Sequence, residues 1–258
     1  IVSNKLYGGT INLMGKSYRK FGWKAIFVDN DDPEAFRAAL SEKTRAIFVE
    51  SLANPGGVVV DLEAIAKVAQ EAEVPLIVDN TMATPWICRP FEWGADLVVH
   101  STTKFLSGQG NAMGGIVIDS GRFPWLGNVK YPSLSEPCPD YNGLTFAETF
   151  GDLAFTLYSH AVSLRDLGCS QSPMNAWITL NGVETLPLRM ERHVENAMEV
   201  ARFLQGHEAV EWVSYAGLSS SPYHQLAKKY LEGKAGSVFT FGIRGGYENG
   251  LRILENVE

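Results

Sequence analysis

The chain has 258 residues, 45% of them hydrophobic and 20% charged, which is typical of a globular protein that can bury a full core. Its net charge of −7 argues against nonspecific nucleic-acid binding, which needs a basic surface. No apolar run approaches the roughly 20 residues that span a bilayer. Three widely spaced cysteines and histidines without metal-ligand spacing favour a reducing cytoplasm, with no disulfide framework and no metal site.

The first half of the chain predicts a mostly parallel α/β sheet. Three short apolar runs each turn polar where they end: "RAIFVES" at Glu50, "PLIVDNT" at Asp79 and "ADLVVHSTTK" at His100. Continuously apolar runs of this length are typical of strands that are buried on both faces. Because ligands bind beyond the carboxyl ends of parallel strands, we expect these polar clusters to converge on one site.

Helices are predicted between these strands. In "VDLEAIAKVAQEAEVP", Asp61 can cap the amino end of a helix, apolar residues follow at helical spacing, and Pro75 marks the exit. Asp32 followed by Pro33 predicts another helix start.

The second half predicts a different arrangement. After a strand in "NAMGGIVID", residues 121–151 are rich in proline, glycine and aromatic residues and form an irregular excursion. A long helix, strained at Pro187, is expected from about Pro173, followed by a strand in "SVFTFGIRGG" and a last helix. We therefore predict a large domain over residues 1–172, and a linking helix with part of a smaller α+β domain over residues 173–258. The absence of an initial methionine and the ending in a helix-like stretch predict a piece of a longer protein.

Three familiar motifs are not satisfied. "GGTINLMGKS" has five residues between Gly9 and Gly15 where a P-loop needs four. "GQGNAMGG" carries Met113 at the third glycine of a dinucleotide fingerprint, and it precedes a strand instead of opening a helix. No G-x-S-x-G elbow is present, so a serine hydrolase is unsupported.

The segment "VVHSTTKFLSGQG" places Lys104 just after a predicted buried strand. A single lysine in this position is more often a solvated loop residue. Here, hydroxyls at Ser101 and Thr103 could bind a phosphate, Asp79 could meet a cationic ring nitrogen, and Tyr7 in "KLYGGT" offers a flat aromatic face. A reactive lysine, a carboxylate, phosphate donors and a stacking aromatic are what pyridoxal 5′-phosphate (PLP) requires.

Four segments resemble the Cys/Met-metabolism family of fold-type I PLP enzymes: "LYGGT", "ESLANPGG", "PLIVDNTMATPW" and "GADLVVHSTTKFLSGQGNAMGG". The resemblance extends across essentially the whole chain. It implies an α/β PLP-transferase large domain, with a mostly parallel sheet and flanking helices, and part of a smaller α+β domain.

The resemblance also implies a role for each matching residue. Lys104 would bond the cofactor as a Schiff base, Asp79 would pair with the pyridine nitrogen, and Ser101 and Thr103 would hold the phosphate. Tyr7 would stack on the ring and assist proton transfer. The remaining assignments are Asn54 as a contact to cofactor and substrate, and Thr81 and Glu50 as supporting residues. Two of these have simpler readings: Asn54 before Pro55 could only build a turn, and Glu50 could only end a strand.

Within the family, the excursion "YPSLSEPCPDYNGLTFAETFG" resembles an insertion of O-acetylhomoserine sulfhydrylases. Methionine γ-lyases carry cysteine at the position of Gly9, so the resemblance to that member of the family is weaker. The implied reaction is γ-replacement on O-acetylhomoserine by sulfide, or by another thiol, which gives homocysteine and acetate. Cystathionine γ-synthase or a γ-lyase of the same family is the alternative, and a non-catalytic interaction module on this fold is the alternative of another class.

Assembly is expected to complete the site. Family members form homotetramers whose active sites are shared between subunits. The family's amino-terminal phosphate loop and its Tyr/Arg pair, and the carboxyl-terminal arginine that grips the substrate carboxylate, have no counterpart in these 258 residues. We therefore expect small-molecule substrates and copies of the same chain as partners, with neither nucleic acid nor membrane.

Overall fold

The structure, a computed structural model, describes residues 1–256. Its strands are, in chain order, Val2–Ser3 (β1), Phe27–Val28 (β2), Ile47–Glu50 (β3), Leu52–Ala53 (β4), Val58–Val59 (β5), Leu76–Asp79 (β6), Leu97–Ser101 (β7), Gly115–Asp119 (β8), Val210–Ser214 (β9) and Thr240–Ile243 (β10). Its α-helices are Gly8–Asn12 (α1), Pro33–Ala38 (α2), Leu62–Glu71 (α3), Thr84–Ile87 (α4), Pro132–Ser135 (α5), Phe146–Phe150 (α6), Ala154–Tyr158 (α7), Arg165–Leu167 (α8), Pro173–Glu184 (α9), Leu186–Gly206 (α10), His224–Tyr230 (α11) and Gly246–Asn256 (α12). Over this range, no helix is both long and apolar enough to cross a membrane.

The central layer is a six-stranded sheet in the order β2-β1-β3-β6-β7-β8. The first five strands run parallel to their neighbours, and β8 at the edge runs antiparallel to β7. The predicted mostly parallel sheet is confirmed. The register of β3 and β6 aligns Glu50 with Asp79, so both polar strand ends lie at the same edge.

The helices on this sheet begin where the capping residues predict. The Asp61 side chain accepts a hydrogen bond from the backbone N–H of Ala64 at 3.2 Å, and α3 buries Leu62, Ile65 and Val68 against the core. Asp32 caps α2 in the same manner. Because a side-chain oxygen replaces a missing intrahelical acceptor, each cap fixes its helix start.

The predicted long helix is two helices. It breaks between Glu184 and Leu186, and Pro187 lies in the first turn of α10. Proline has no N–H and its ring collides with the carbonyl four residues earlier, so a proline fits the first turn of a new helix and not the interior of an old one. The expectation of a single strained helix was wrong.

The carboxyl-terminal part adds a small antiparallel sheet, β9 with β10, of which only β10 was expected. Its buried side chains belong to the same hydrophobic cluster as those of the large sheet: Leu186, Met190, Tyr215 and Tyr230 share it with Ile47 and Leu76. The division at residues 172 and 173 stays a prediction.

The excursion has a core of its own. Phe123, Trp125, Leu134 and Phe146 are buried together with Ala147 and Ala154. The excursion is joined to the sheet by side chains that bond backbone carbonyls: Asn128 to Glu73, Lys130 to Ala72 and Tyr131 to Arg45. These carbonyls precede β6 and β3, so the contacts lie at the amino edge of the sheet.

Candidate active site

Three neighbouring strands end in polar residues at the carboxyl edge of the sheet. Glu50 ends β3, Asp79 ends β6, and Ser101 ends β7. Lys104 lies in the turn that follows β7 and is exposed, and its backbone N–H donates to the Ser101 carbonyl at 3.3 Å. The expected convergence of the polar clusters is therefore present.

Glu50 fastens two other segments to this edge. One carboxylate oxygen accepts the Tyr7 backbone N–H at 2.6 Å, and the other accepts that of Asn54 at 3.0 Å. Tyr7 precedes α1, and Asn54 lies in the turn of the β4–β5 hairpin. Glu50 does more than end a strand, because it holds these two segments beside the end of β6. Asn54 does build a turn, and its side chain can still bind a ligand because Glu50 holds only its backbone N–H.

A second series of hydrogen bonds runs from Asp79 to the lysine turn. An Asp79 carboxylate oxygen accepts the Thr81 backbone N–H at 2.9 Å, and the Thr81 hydroxyl accepts the Ser101 backbone N–H at 2.8 Å. Thr81 thus links the ends of β6 and β7. These bonds and the Glu50 contacts form two sets, and the backbone N–H of Ser51, next to Glu50, joins them by donating to the Asp79 carbonyl at 3.0 Å.

The electrostatics of the site are set by two carboxyls, Glu50, which is buried, and Asp79, which is partly buried. The pKa of Glu50 is raised to about 7, mainly by burial and in smaller part by the neighbouring Asp79. The two N–H bonds oppose this rise because they favour the charged form. Burial also raises the pKa of Asp79. In residues 1–256 neither carboxylate forms an ion pair with a lysine, arginine or histidine. Since an unpaired buried carboxylate is costly, the site suits a cationic group on a ligand.

The Tyr7 ring stands at the mouth of the site. It is 52% exposed, although its backbone N–H is held by Glu50. A methyl group built on Gly9 would lie 2.6 Å from Cε1 of this ring. The ring position therefore depends on the absence of a side chain at residue 9.

The two hydroxyls expected to bind phosphate differ in their surroundings. The Thr103 hydroxyl accepts the Gly114 backbone N–H at 3.1 Å and donates to the Gly114 carbonyl at 3.3 Å. Binding a phosphate oxygen would require Thr103 to redirect its proton from that carbonyl. Within residues 1–256 the Ser101 hydroxyl forms no hydrogen bond to another protein group, so it can donate to a ligand.

Sequence reasoning missed the polar layer behind the carboxylates. The Ser51 hydroxyl donates to the Asn80 side-chain oxygen at 2.7 Å, and the Asn80 amide donates to the Cys88 carbonyl at 2.8 Å. Both residues are buried directly after Glu50 and Asp79. The signal was available, because each follows a site carboxylate along the chain. Buried His100 has its pKa lowered to about 4 by desolvation, so it is neutral at physiological pH.

The part of the chain that the structure covers contains no cluster of three histidine, cysteine or acidic side chains that could hold a metal ion. The site's donors are instead an amine, hydroxyls, carboxylates and backbone N–H groups.

A sequence model of the Cys/Met metabolism PLP-dependent enzymes matches residues 1–258. The chain belongs to this family. It is 49% identical to an O-acetyl-L-homoserine sulfhydrylase of Leptospira meyeri, with 100% of the chain and 60% of that protein covered. It is 44% identical to a homocysteine synthase of Schizosaccharomyces pombe, with 98% of the chain and 60% of that protein covered. The chain thus spans about 60% of the length of these family members.

A solved structure supports the family's fold in this chain. The crystal structure of a Campylobacter jejuni protein described as an O-acetylhomoserine (thiol)-lyase superposes with a TM-score of 0.96 at 38% identity, covering 100% of this chain and 64% of that one. Its description includes an N′-pyridoxyl-lysine-5′-monophosphate residue. The predicted fold class, an α/β fold-type I PLP-transferase domain with part of a smaller α+β domain, is confirmed.

The raised pKa of Glu50 predicts a pH dependence of stability. Its folded value of about 7 lies above the ordinary 4.5, so the folded state holds the proton more tightly. The resulting stability is fully present below pH 4.5 and is lost as the pH rises to 7. At about 1.4 kcal/mol for each tenfold change in proton affinity, the free energy of unfolding should fall by roughly 3 kcal/mol.

Urea unfolding of the cofactor-free protein at several pH values measures this fall. Glu50→Gln should remove the part of the fall that Glu50 causes and leave the part that Asp79 causes, whereas Glu42→Gln, on the surface, should behave like the wild type. An undiminished slope in Glu50→Gln would assign the dependence to other groups.

Proposed function

We propose that the full-length protein containing this chain is a PLP-dependent transferase that replaces the acetate of O-acetylhomoserine with sulfide, giving homocysteine and acetate. The observation that carries this is the convergence, at the carboxyl edge of the sheet, of the turn that holds exposed Lys104 with the partly buried carboxylate of Asp79, which forms no ion pair in residues 1–256. The names of the similar proteins support the substrate.

The residues present fit PLP. Asp79 lacks the positive partner that a protonated pyridine nitrogen would supply, and Ser101 offers a free hydroxyl for phosphate. When bound, PLP supplies an electron-withdrawing ring that stabilises negative charge next to the substrate's amine. Tyr7 and Asn54 would contact its ring and the substrate, Thr103 would assist Ser101 at the phosphate, and Thr81 and Glu50 would hold these groups in place.

The chain's own contribution to the reaction is binding and proton transfer. Lys104 Nζ would bond the cofactor in the resting state, and then carry protons from the substrate's Cα once that bond is released. Tyr7 would support proton transfer near the leaving group. The bond from Cγ to the acetate oxygen breaks, and a bond from Cγ to the sulfur of hydrosulfide forms.

Steady-state assays test this function directly. The full-length protein should turn over O-acetylhomoserine faster with sulfide than with cysteine, and faster turnover with cysteine would favour the cystathionine γ-synthase alternative.

The Lys104→Ala variant tests the role of the lysine. It should fold but lose the yellow, borohydride-sensitive cofactor band, and its turnover should fall at least about 10³-fold, since it loses a nucleophile and a base together. Lys43→Ala, which changes an exposed lysine, is the matched control. Full activity in Lys104→Ala would reject the assignment.

Asp79→Asn tests the pyridine-nitrogen partner. This variant should still bind PLP but turn over roughly 100-fold more slowly or worse, because a neutral amide does not keep the ring nitrogen protonated; about 1.4 kcal/mol accompanies each tenfold loss. Kinetic assays with spectroscopically measured cofactor occupancy separate binding from turnover. Asp140→Asn, at the surface, should be unaffected. Unchanged kinetics in Asp79→Asn would remove Asp79 from this role.

We further propose a cytoplasmic homotetramer with shared active sites. Ser101 and Thr103 are neutral, and residues 98–110 contain no arginine to balance a phosphate dianion. Since burying such a charge alone costs several kcal/mol, a cation should come from a neighbouring subunit. Light scattering should show a tetramer or at least a dimer, and protein truncated to residues 1–258 should bind PLP weakly. A fully active monomer would contradict shared sites.

The cysteines support the proposed cytoplasmic location. Cys88, Cys138 and Cys169 are free thiols, as is usual for proteins of a reducing compartment.

A further inference from the structure

The turn that carries Lys104 packs tightly on the break between α9 and α10. A methyl group built on Gly182, near the end of α9, would lie 2.4 Å from the carbonyl oxygens of Leu106 and Ser107. A methyl group on Gly108 would lie 2.5 Å from both Cζ and Nη1 of Arg189. Gly108 also has a φ of +82°, a backbone conformation that favours glycine. The two segments therefore touch at two points where a side chain on the glycine would collide with the other segment.

Arg189 is fixed by groups of the helix break itself. Its Nε donates to the Thr185 hydroxyl at 3.0 Å, and its Nη2 donates to the Gly182 carbonyl at 2.7 Å. Nη1 is buried and has no acceptor within residues 1–256, and it lies instead against Gly108. The guanidinium plane is thus held by Gly182 of α9 and by Thr185 between the two helices, and it presents its remaining edge to the lysine turn.

Hydrogen bonds carry this contact to Lys104. The Gly108 backbone N–H donates to the Lys104 carbonyl at 2.9 Å, and the Ser107 hydroxyl donates to the Thr103 carbonyl at 3.2 Å. One helical turn beyond Arg189, the His193 ring packs edge-on against the Phe105 ring, with centroids 5.4 Å apart. The same face of α10 therefore contacts the residue after Lys104 and the residue that closes its turn.

We propose that Arg189 is a positioning residue that holds the Gly108 end of the turn, and through it the backbone of Lys104, in the arrangement that the proposed reaction needs. The proposal rests on the proposed function of Lys104. The competing role is purely structural: Arg189 would only satisfy the Gly182 carbonyl at the end of α9. That role needs one donor, whereas positioning needs the whole planar guanidinium against Gly108.

Two readouts on the full-length protein separate these roles. The first is amide hydrogen exchange in the cofactor-free protein, resolved at Gly108. Arg189→Ala should speed exchange at Gly108 at least tenfold, because the N–H bond to the Lys104 carbonyl then opens more often. The second is the rate at which borohydride traps PLP on Lys104, which should fall about tenfold. Arg192→Ala, whose arginine pairs with Glu195 at the surface of α10, should match the wild type in both.

A further variant addresses folding and the competing role. Arg189→Lys can still donate to the Gly182 carbonyl but cannot cover Gly108, so it should retain thermal stability and still show fast exchange at Gly108. Wild-type exchange and trapping in Arg189→Lys would overturn positioning and leave the structural role. Wild-type protein that takes no PLP on Lys104 would overturn the proposed function, and this proposal with it.

Discussion

Two carboxylates, Glu50 and Asp79, end neighbouring parallel strands side by side, and the geometry of the site follows from this pairing. Each follows a strand whose alternate side chains are buried, and a one-residue slip of either strand would turn its buried face outward. The hydrophobic core therefore fixes the register, and the register brings like charges together. Such a pair is stable only where hydrogen bonds or a ligand compensate it.

The two carboxylates are compensated differently, which gives them different chemistry. Both carboxylate oxygens of Glu50 accept hydrogen bonds from backbone N–H groups, one of which lies 43 residues earlier in the chain. Glu50 therefore fixes the positions of the loops around the site. Asp79 accepts its bonds from Thr81 alone, and its remaining capacity faces no cation in residues 1–256. The first carboxylate organises the site, and the second is left for a ligand.

The sequence predicted the framework of the fold well because buried parallel strands and capped helices leave local signals. The apolar runs ending at Glu50 and Asp79, and the caps at Asp61 and Asp32, needed no tertiary information. The β4–β5 hairpin and β9 were missed, since strands of two residues have no period and β9 alternates only weakly. Pro187 signalled a disturbance, and because proline fits the first turn of a helix better than its interior, that signal was of a new helix start and not of strain within one helix.

Within the site, the sequence could predict residues whose side chains have a chemical role. It could not predict contacts that are made through backbone groups. Lys104, Asp79 and Tyr7 are recognisable by what their side chains do. The Glu50 contacts use N–H groups of Tyr7 and Asn54, which any residue except proline offers, so no letter of the sequence marks them. Arg189 lies 81 positions from Gly108 along the chain, and only the close approach of helix break and turn reveals the contact.

The excursion at residues 121–151 contacts the sheet at the edge opposite the candidate site. Its side chains hold carbonyls that precede β3 and β6, at the edge opposite the carboxylates. Its buried aromatic side chains pack on one another, and the sheet stands between the carbonyl contacts and the site. An influence of the contacts on substrate choice would have to pass through a close-packed sheet that resists small displacements. Groups at the carboxyl edge, such as Gly9 beneath the Tyr7 ring, act on the site directly and are better placed to decide which substrate is accepted.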